Sequence, residues 1–191
     1  MPLEHRERVL RAATTSFLAR GYASSVDDIA RRAGVAKQTV YHHFASKDEL
    51  FKAVAHDLTK RVLVELEAEP HDLRAGLVRF ALAYRERVLG VQGIATFRTV
   101  MPEIQRFRAL ARSMYAASVG EMVRQLAHYL GRAMHAGRLR RDDPQFAAEL
   151  LLGMLVGHDR IKRLFGVLSR NGSDTERSAQ IIDCFLRAYK S

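Results

Sequence analysis

Apolar residues recur every three or four positions along most of the 191-residue chain, which is the spacing of one face of a helix. No stretch shows the alternation of apolar and polar residues that is typical of a half-buried strand. The pattern therefore predicts an all-α fold. Its clearest helices are expected over Glu4–Arg20, Asp72–Leu89, Glu103–Ala136, Pro144 to about Val167, and Thr175–Tyr189.

The stretch 26–50 has a different character, because a polar segment follows a short amphipathic one. Val26–Ala33 has apolar residues at helical spacing, and Gly34 supplies the left-handed backbone that ends a helix. Lys37–Phe44 consists mostly of polar or aromatic side chains, with Val40 and the final phenylalanine as its inward anchors. A helix, a glycine turn and a polar second helix are typical of a helix-turn-helix, whose second helix enters the major groove.

Two capping signals flank this motif. Ser25 and Asp28 resemble a capping box at the start of the first helix. Ser46 and Glu49 form a clearer one at the start of the next long helix. That helix is amphipathic, and we expect it to continue to Pro70.

The motifs A-x-x-A-G-V, T-x-Y-x-H-F and S-K-x-E-L occur in register within GYASSVDDIARRAGVAKQTVYHHFASKDELFKAV. Through them this stretch closely resembles the DNA-binding head of TetR-type transcriptional regulators. One departure is Ala36, where the family usually has Ser or Thr as the cap of the DNA-reading helix. Because a side-chain cap contributes roughly 1 kcal/mol, we expect a slightly weaker helix start and no change of fold.

The resemblance implies a three-helix DNA-binding domain over residues 1–48 and a helical ligand-binding and dimerisation domain over residues 49–191. It implies a homodimer on a pseudo-palindromic double-stranded DNA operator, and most often a repressor that a small-molecule ligand releases. Three alternatives stay open. The first is a helix-turn-helix regulator that has no small-molecule ligand or that responds to a protein partner. The second is an activator, and the third is an enzyme built on a helical domain.

The net charge suits a nucleic-acid partner but does not locate its binding surface. The chain has 31 Lys and Arg against 21 Asp and Glu, a net charge of +10. Residues 1–50 contain eight basic and six acidic side chains, a net of +2, so the other +8 lies beyond the motif. The motif, and not the charge, therefore identifies the DNA-binding surface.

Composition also bears on the compartment. The single cysteine, Cys184, excludes a disulfide framework and fits a reducing environment. No stretch approaches the length of an apolar membrane span, and the start of the chain lacks an apolar signal-peptide region. We therefore expect a cytoplasmic protein without membrane contact.

The polar second helix supplies most of the candidate DNA contacts. Positions 37, 38, 41 and 42 share one face, on which the Gln38 amide is suited to adenine, and the adjacent Thr39 methyl to thymine. The family resemblance implies phosphate contacts from Tyr41, His43 and Lys47, whereas a cap alone could explain Ser25. The alternative for the whole face is contact with solvent only. The DNA-binding candidates are Ser25, Lys37, Gln38, Thr39, Tyr41, His42, His43 and Lys47.

The predicted ligand site is a group of aromatic, methionine and polar residues in the central helices. The resemblance places them around a cavity, and such a lining suits a small apolar or amphipathic ligand. Ordinary core packing is the alternative for each residue taken singly. The candidates are Tyr84, Phe97, Arg98, Phe107, Met114, Tyr115, His128 and Met154.

Apolar stripes on the last two helices are candidates for a dimer interface. On pattern alone they could equally be intramolecular core, whereas the resemblance implies a four-helix bundle between two copies. The candidates are Phe146, Leu150, Gly157, Ile161, Ile181, Phe185 and Tyr189.

No residues indicate a metal site, a cofactor or an enzyme. His42 and His43 are adjacent, so in a helix their side chains diverge by about 100° and do not share an ion. His158 precedes Asp159, but no nucleophile elbow, zinc motif or glycine-rich phosphate loop accompanies them.

Overall fold

The computed structural model describes residues 2–63, 72–104, 108–167 and 174–190. These residues form helices joined by short connections and contain no strand, so the all-α prediction is confirmed. None of the helices in these segments is long and apolar enough to cross a membrane. The α-helices are α1 Pro2–Arg20, α2 Val26–Ala33, α3 Lys37–His43, α4 Lys47–Leu63, α5 Leu73–Leu89, α6 Val91–Val100, α7 Arg108–Tyr115, α8 Glu121–His135, α9 Pro144–Leu164 and α10 Asp174–Ala188.

The predicted helices are present, and two of them are interrupted. The predicted helix from Pro144 to about Val167 is present as α9, whose backbone departs from helical geometry at Gly157. The predicted long helix 103–136 is divided into α7 and α8 by a π-helical turn over Ala116–Gly120. The predicted course of α4 to Pro70 lies partly outside the described residues, because α4 is described only to Leu63.

The chain forms two compact units, residues 1–58 with 95–118, and residues 59–94 with 119–191. These units are defined by packing. The predicted boundary between residues 48 and 49 separates functions, and it stays a prediction.

The core of the first unit lies where α1 and α4 pack with the two helices of the motif. Ile29 and Leu50 are fully buried there, and Phe17 meets Phe51 edge to face with 4.5 Å between ring centroids. Both predicted caps are present, since the Ser25 hydroxyl accepts from Asp28 N–H and the Ser46 hydroxyl accepts from Glu49 N–H. These caps fix where α2 and α4 begin.

In the second unit α5, α8, α9 and α10 pack around one apolar core. Phe80, Leu126, Leu155 and Phe185 are fully buried in it. Local signals start the helices, because the Asp72 carboxylate accepts from Ala75 N–H, and Asp143 caps α9 with a proline in its first turn.

A buried arginine joins three of these helices. Arg85 of α5 is 3% exposed and donates through Nη2 to the carboxylates of Asp159 (2.9 Å) and Asp174 (2.8 Å). Its Nη1 donates to the Leu155 carbonyl at 2.6 Å, close to Gly157, where the α9 backbone departs from helical geometry. The two carboxylates compensate the buried charge, so Arg85 ties α5 to α9 and to the start of α10.

The exposed and buried apolar stripes divide the predicted dimer residues into two groups. Phe185 and Tyr189 are buried in the protomer's own core, so the expectation that they line an interface between copies is corrected. Ile181 is half-buried against the same core. The α9 residues of the set stay on the surface: Phe146 is 55% exposed, Leu150 38% and Ile161 49%, and Gly157 is also exposed.

This division generates a stability prediction. Phe185→Ala should lower the free energy of unfolding by about 3–5 kcal/mol, because it leaves a cavity in a closed core. Val91→Ala is the control, since the Val91 side chain is 89% exposed. Urea denaturation followed by circular dichroism measures both. Equal midpoints for the two variants would contradict the assignment of Phe185 to the core.

Candidate nucleic-acid interface

The turn between α2 and α3 is fixed by backbone geometry. Gly34 has left-handed backbone angles (φ 64°, ψ 41°), and its N–H donates to carbonyls of the last turn of α2. The Val35 N–H donates to the Ala30 carbonyl at 3.1 Å, which completes the helix end. The chain is thereby turned directly into α3.

One face of α3 is buried and the other is open. Val40 is 1% exposed and Phe44, which follows the helix, is 5% exposed. Ala36 stands at the start of α3 and provides no side-chain hydrogen bond, as the sequence predicted. Two inward anchors therefore orient a seven-residue helix.

The outward face consists of the residues that the spacing predicted. Lys37, Gln38 and His42 are exposed, and Tyr41 is 44% exposed. Thr39 and His43 are half-buried at the sides of this face, and Ser25 is exposed at the start of α2. The placement is compatible with a major-groove surface, while the DNA contacts themselves stay a prediction.

An ion pair joins the two helices of the motif. Lys37 Nζ donates to Asp27 Oδ2 at 3.0 Å, and both side chains are at least half exposed. Accepting this bond, the Asp27 carboxylate raises the pKa of the Lys37 ammonium. This contact could not be predicted from the sequence, because the two residues are ten positions apart and belong to different helices.

Lys47 is held at the start of α4 by an aromatic ring. Its ammonium lies 4.1 Å from the centroid of the Tyr22 ring, and the Tyr22 hydroxyl donates to the Asp48 carboxylate. Burial, with the contribution of Asp48, raises the pKa of Tyr22 to about 12, and burial lowers the pKa of Lys47. The Tyr22 ring therefore restrains Lys47, the residue predicted to contact a phosphate.

The two adjacent histidines stack edge to face, with 5.3 Å between ring centroids. Burial lowers the pKa of the His43 imidazole, and the nearby His42, His5 and Arg6 add to this effect. Among the residues that the structure describes, no three side chains of metal-ligating type come together.

Arg8 is a supporting residue that the sequence analysis missed. Its Nε and Nη2 both donate to the Ala33 carbonyl (3.0 and 2.6 Å), and Nη2 also donates to the Gly34 carbonyl at 3.0 Å. These carbonyls lie at the end of α2, where the helix itself offers no donor. Arg8 therefore fixes the turn from α1, across 25 residues of sequence.

The predicted ligand-binding residues are distributed over both units. In the second unit Tyr84 and Met154 are half-buried against the core, and His128 is exposed. In the first unit Met114 packs against the core of that unit, and Tyr115 is 57% exposed. The remaining three are Phe97, which is half-buried, Arg98, which is exposed, and Phe107, which lies outside the described residues.

A surface groove of about 440 Å³ lies in the second unit, at the junction of α5 and α6. It contains none of the predicted ligand-binding residues. Their joint role stays a prediction that rests on the family resemblance. The groove is lined by Val62, Ala83, Glu86, Arg87, Gly90, Val91, Gln92 and Gly93.

Two family models match the chain in succession. Residues 9–54 match bacterial regulatory proteins of the tetR family. Residues 75–191 match the C-terminal domain of AefR-like transcriptional repressors.

Characterised relatives are similar over different lengths. The HTH-type transcriptional repressor Rv1474c of Mycobacterium tuberculosis is 25% identical over 93% of this chain and 89% of its own length. The HTH-type transcriptional activator FasR of Mycolicibacterium smegmatis is 52% identical, but over only 27% of this chain and 24% of its own length. Both relatives are transcriptional regulators, which are not enzymes.

Solved structures match all or nearly all of the chain. A TetR-family regulator from Mesorhizobium loti superimposes with a TM-score of 0.80 at 24% identity, covering 100% of this chain and 99% of its own. The flavonoid-responsive regulator FrrA superimposes with a TM-score of 0.75 at 30% identity, covering 97% of each chain.

The contacts of Arg8 generate a prediction about the motif. Arg8→Met should lower the free energy of unfolding by about 1–3 kcal/mol, because the carbonyls of Ala33 and Gly34 lose their donor. Arg11→Met removes the same group from an exposed position of α1 and serves as the control. If urea denaturation finds both variants equally stable, Arg8 does not support the turn.

Proposed function

The chain belongs to the TetR family of transcriptional regulators, and from this membership we propose a homodimeric repressor that a small-molecule ligand releases from a pseudo-palindromic operator. The observation that carries the proposal is α3, whose polar face is open while Val40 and Phe44 hold its other face in the core. Such a helix is suited to the major groove. The DNA that such a regulator binds lies in the cytoplasm, and we assign the protein to that compartment.

The proposed division of labour on this surface follows from side-chain chemistry. Gln38 can form two hydrogen bonds with adenine, and the Thr39 methyl can contact the methyl of thymine. Tyr41 lies on this face, His43 lies at its side and Lys47 lies beyond it in α4. All three are assigned to phosphates, whose contacts fix position without carrying sequence information. Ser25 already caps α2, and its exposed side chain could add a phosphate contact.

The proposed dimer interface is the exposed apolar stripe of α9. Phe146, Leu150 and Ile161 occupy it, and exposed Gly153 and Gly157 between them leave room for close approach of a second helix. Exposed apolar patches of this kind commonly mark protein interfaces. Two copies would present two α3 helices to half-sites whose centres are about 34–36 Å apart, or a multiple of this distance.

Release of the operator by a ligand requires that the binding of each lowers the affinity of the protein for the other. The coupling between the two sites is one shared free energy. If the ligand lowers the affinity for the operator by a given factor, the operator must lower the affinity for the ligand by the same factor. We expect about 1–3 kcal/mol, or 5- to 150-fold. FrrA is flavonoid-responsive, so flavonoids are the first compounds to test for this chain.

Activation is the second candidate function. It is favoured by the similarity to FasR, a transcriptional activator, which is 52% identical over 52 residues. The same α3 face would read the operator in either case, and the sign of regulation depends on where the operator lies relative to the promoter.

We propose no enzymatic role. His158 is exposed, and the neighbouring Asp159 carboxylate binds the buried Arg85 at 2.9 Å. The Asp159 carboxylate therefore has a structural role in compensating the charge of Arg85.

Selection of bound duplexes from a random DNA library tests the regulator function. The wild type should enrich an inverted repeat, whose spacing gives the distance between half-sites. Tyr41→Ala should then weaken binding to the selected duplex at least tenfold with an unchanged melting temperature, because an exposed phosphate ligand is lost. If the protein enriches no sequence and its DNA binding only weakens as the salt concentration rises, the basic surface binds DNA without sequence specificity.

The dimer assignment is tested by charge on the α9 stripe. Ile161→Asp should shift the protein to monomer in sedimentation-velocity ultracentrifugation and weaken operator binding, because a charge is expensive to bury in an apolar interface. Val91→Asp places the same charge on an exposed apolar position of α6 and should stay dimeric. An Ile161→Asp dimer at the same concentration as the control would refute the interface.

A further inference from the structure

We propose that Asp27 is a specificity-determining residue, which positions Lys37 to read guanine in the major groove. The proposal rests on the proposed operator binding and adds a role for a residue of α2 whose negative charge repels phosphates. Asp27 would act through Lys37, and its contribution would be base discrimination and not affinity.

An ion pair links α2 to the N-terminus of α3. Asp27 lies in the first turn of α2, and Lys37 is the first residue of α3. Lys37 Nζ and Asp27 Oδ2 are 3.0 Å apart, with side-chain exposures of 50% and 62%. The ammonium is therefore held beside the outward face that also includes Gln38 and Tyr41.

An ammonium has three donors, and this pair uses one of them. The other two stay available, and the direction in which they point is restricted by the bond to Asp27. In the major groove guanine presents two acceptors, O6 and N7, whereas adenine presents one acceptor and one donor. The two remaining N–H donors of Lys37, held in a restricted range of directions, are suited to the O6 and N7 acceptors of guanine.

The carboxylate also disfavours the competing partner of Lys37. An unpaired lysine is a point charge on a flexible four-carbon stem, and it can reach phosphates as readily as bases. The negative charge of Asp27 offsets the attraction of the ammonium for phosphates and repels them itself. Base edges, which carry no net charge, are penalised less, so the pair shifts Lys37 from phosphate to base contact.

The pair is exposed, and exposed ion pairs contribute little to the stability of the free protein. Its removal should therefore leave the fold intact. In the complex, discrimination of guanine from other bases should be about fivefold or more, the lower end for a good base contact. This separation of folding from specificity makes the proposal testable by substitution.

The experiment compares selection from a random library by the full-length wild type, Asp27→Ala, Lys37→Met and the double variant. Glu7→Ala is the matched control, because it removes one negative charge from an exposed position of α1. Equilibrium binding at fixed salt then measures each protein on the selected duplex and on the same duplex with the guanine replaced in both half-sites.

We expect the wild type to prefer guanine at one position of each half-site, and Glu7→Ala to keep that preference. Lys37→Met and Asp27→Ala should both lose it, and the double variant should lose no more than either alone, because the two residues act as one unit. Asp27→Ala should bind the replaced duplex at least as tightly as the wild type does.

Other outcomes overturn the proposal in recognisable ways. A full guanine preference in Asp27→Ala would show that Lys37 needs no positioning. A preference lost in Asp27→Ala but kept in Lys37→Met would show that the carboxylate reads cytosine directly. Uniform weakening of Lys37→Met on both duplexes would assign Lys37 to phosphates. No enrichment by the wild type would remove the operator binding as well, which separates that failure from the others.

Discussion

The packing of Val40 and Phe44 under α3 is the contact on which the DNA-binding surface depends. A helix of seven residues is too short to be stable alone, because nucleation costs more than so few hydrogen bonds return. Ala36 provides no side-chain cap, so tertiary contacts must hold the helix. Because the inward face of α3 is buried in the core, its outward residues can be substituted without loss of the fold.

Charge on this surface is arranged in pairs and not in a simple basic patch. Lys37 is bound by Asp27, and Lys47 lies over the Tyr22 ring beside Asp48. A lysine that is restrained by a neighbour loses less side-chain freedom on binding DNA, and it offers its remaining donors in fewer directions. The small net charge of the head is consistent with such a surface, since unpaired cations would strengthen binding to any DNA.

The sequence predicted best those features that depend on near neighbours. Ser25, Gly34 and Ser46 act within a few residues of their own positions, and their roles at helix ends were predictable from local chemistry. Arg8 and Arg85 could not be placed in this way, because their acceptors are 25 and at least 70 residues distant. An arginine on a helix looks the same in sequence whether it faces solvent or reaches a distant carbonyl.

The dimer residues show the same limit for apolar side chains. Helical periodicity identifies an apolar stripe, but it does not tell which stripe faces the protomer's own core. α9 has apolar residues on two sides, with Leu151 and Leu155 buried and Phe146 and Ile161 exposed, whereas Phe185 of α10 is buried. The protomer buries one of these sides in its own core and leaves the other exposed. The exposed side is the surface that we propose for dimerisation, because the same stripe on two copies forms a self-complementary interface.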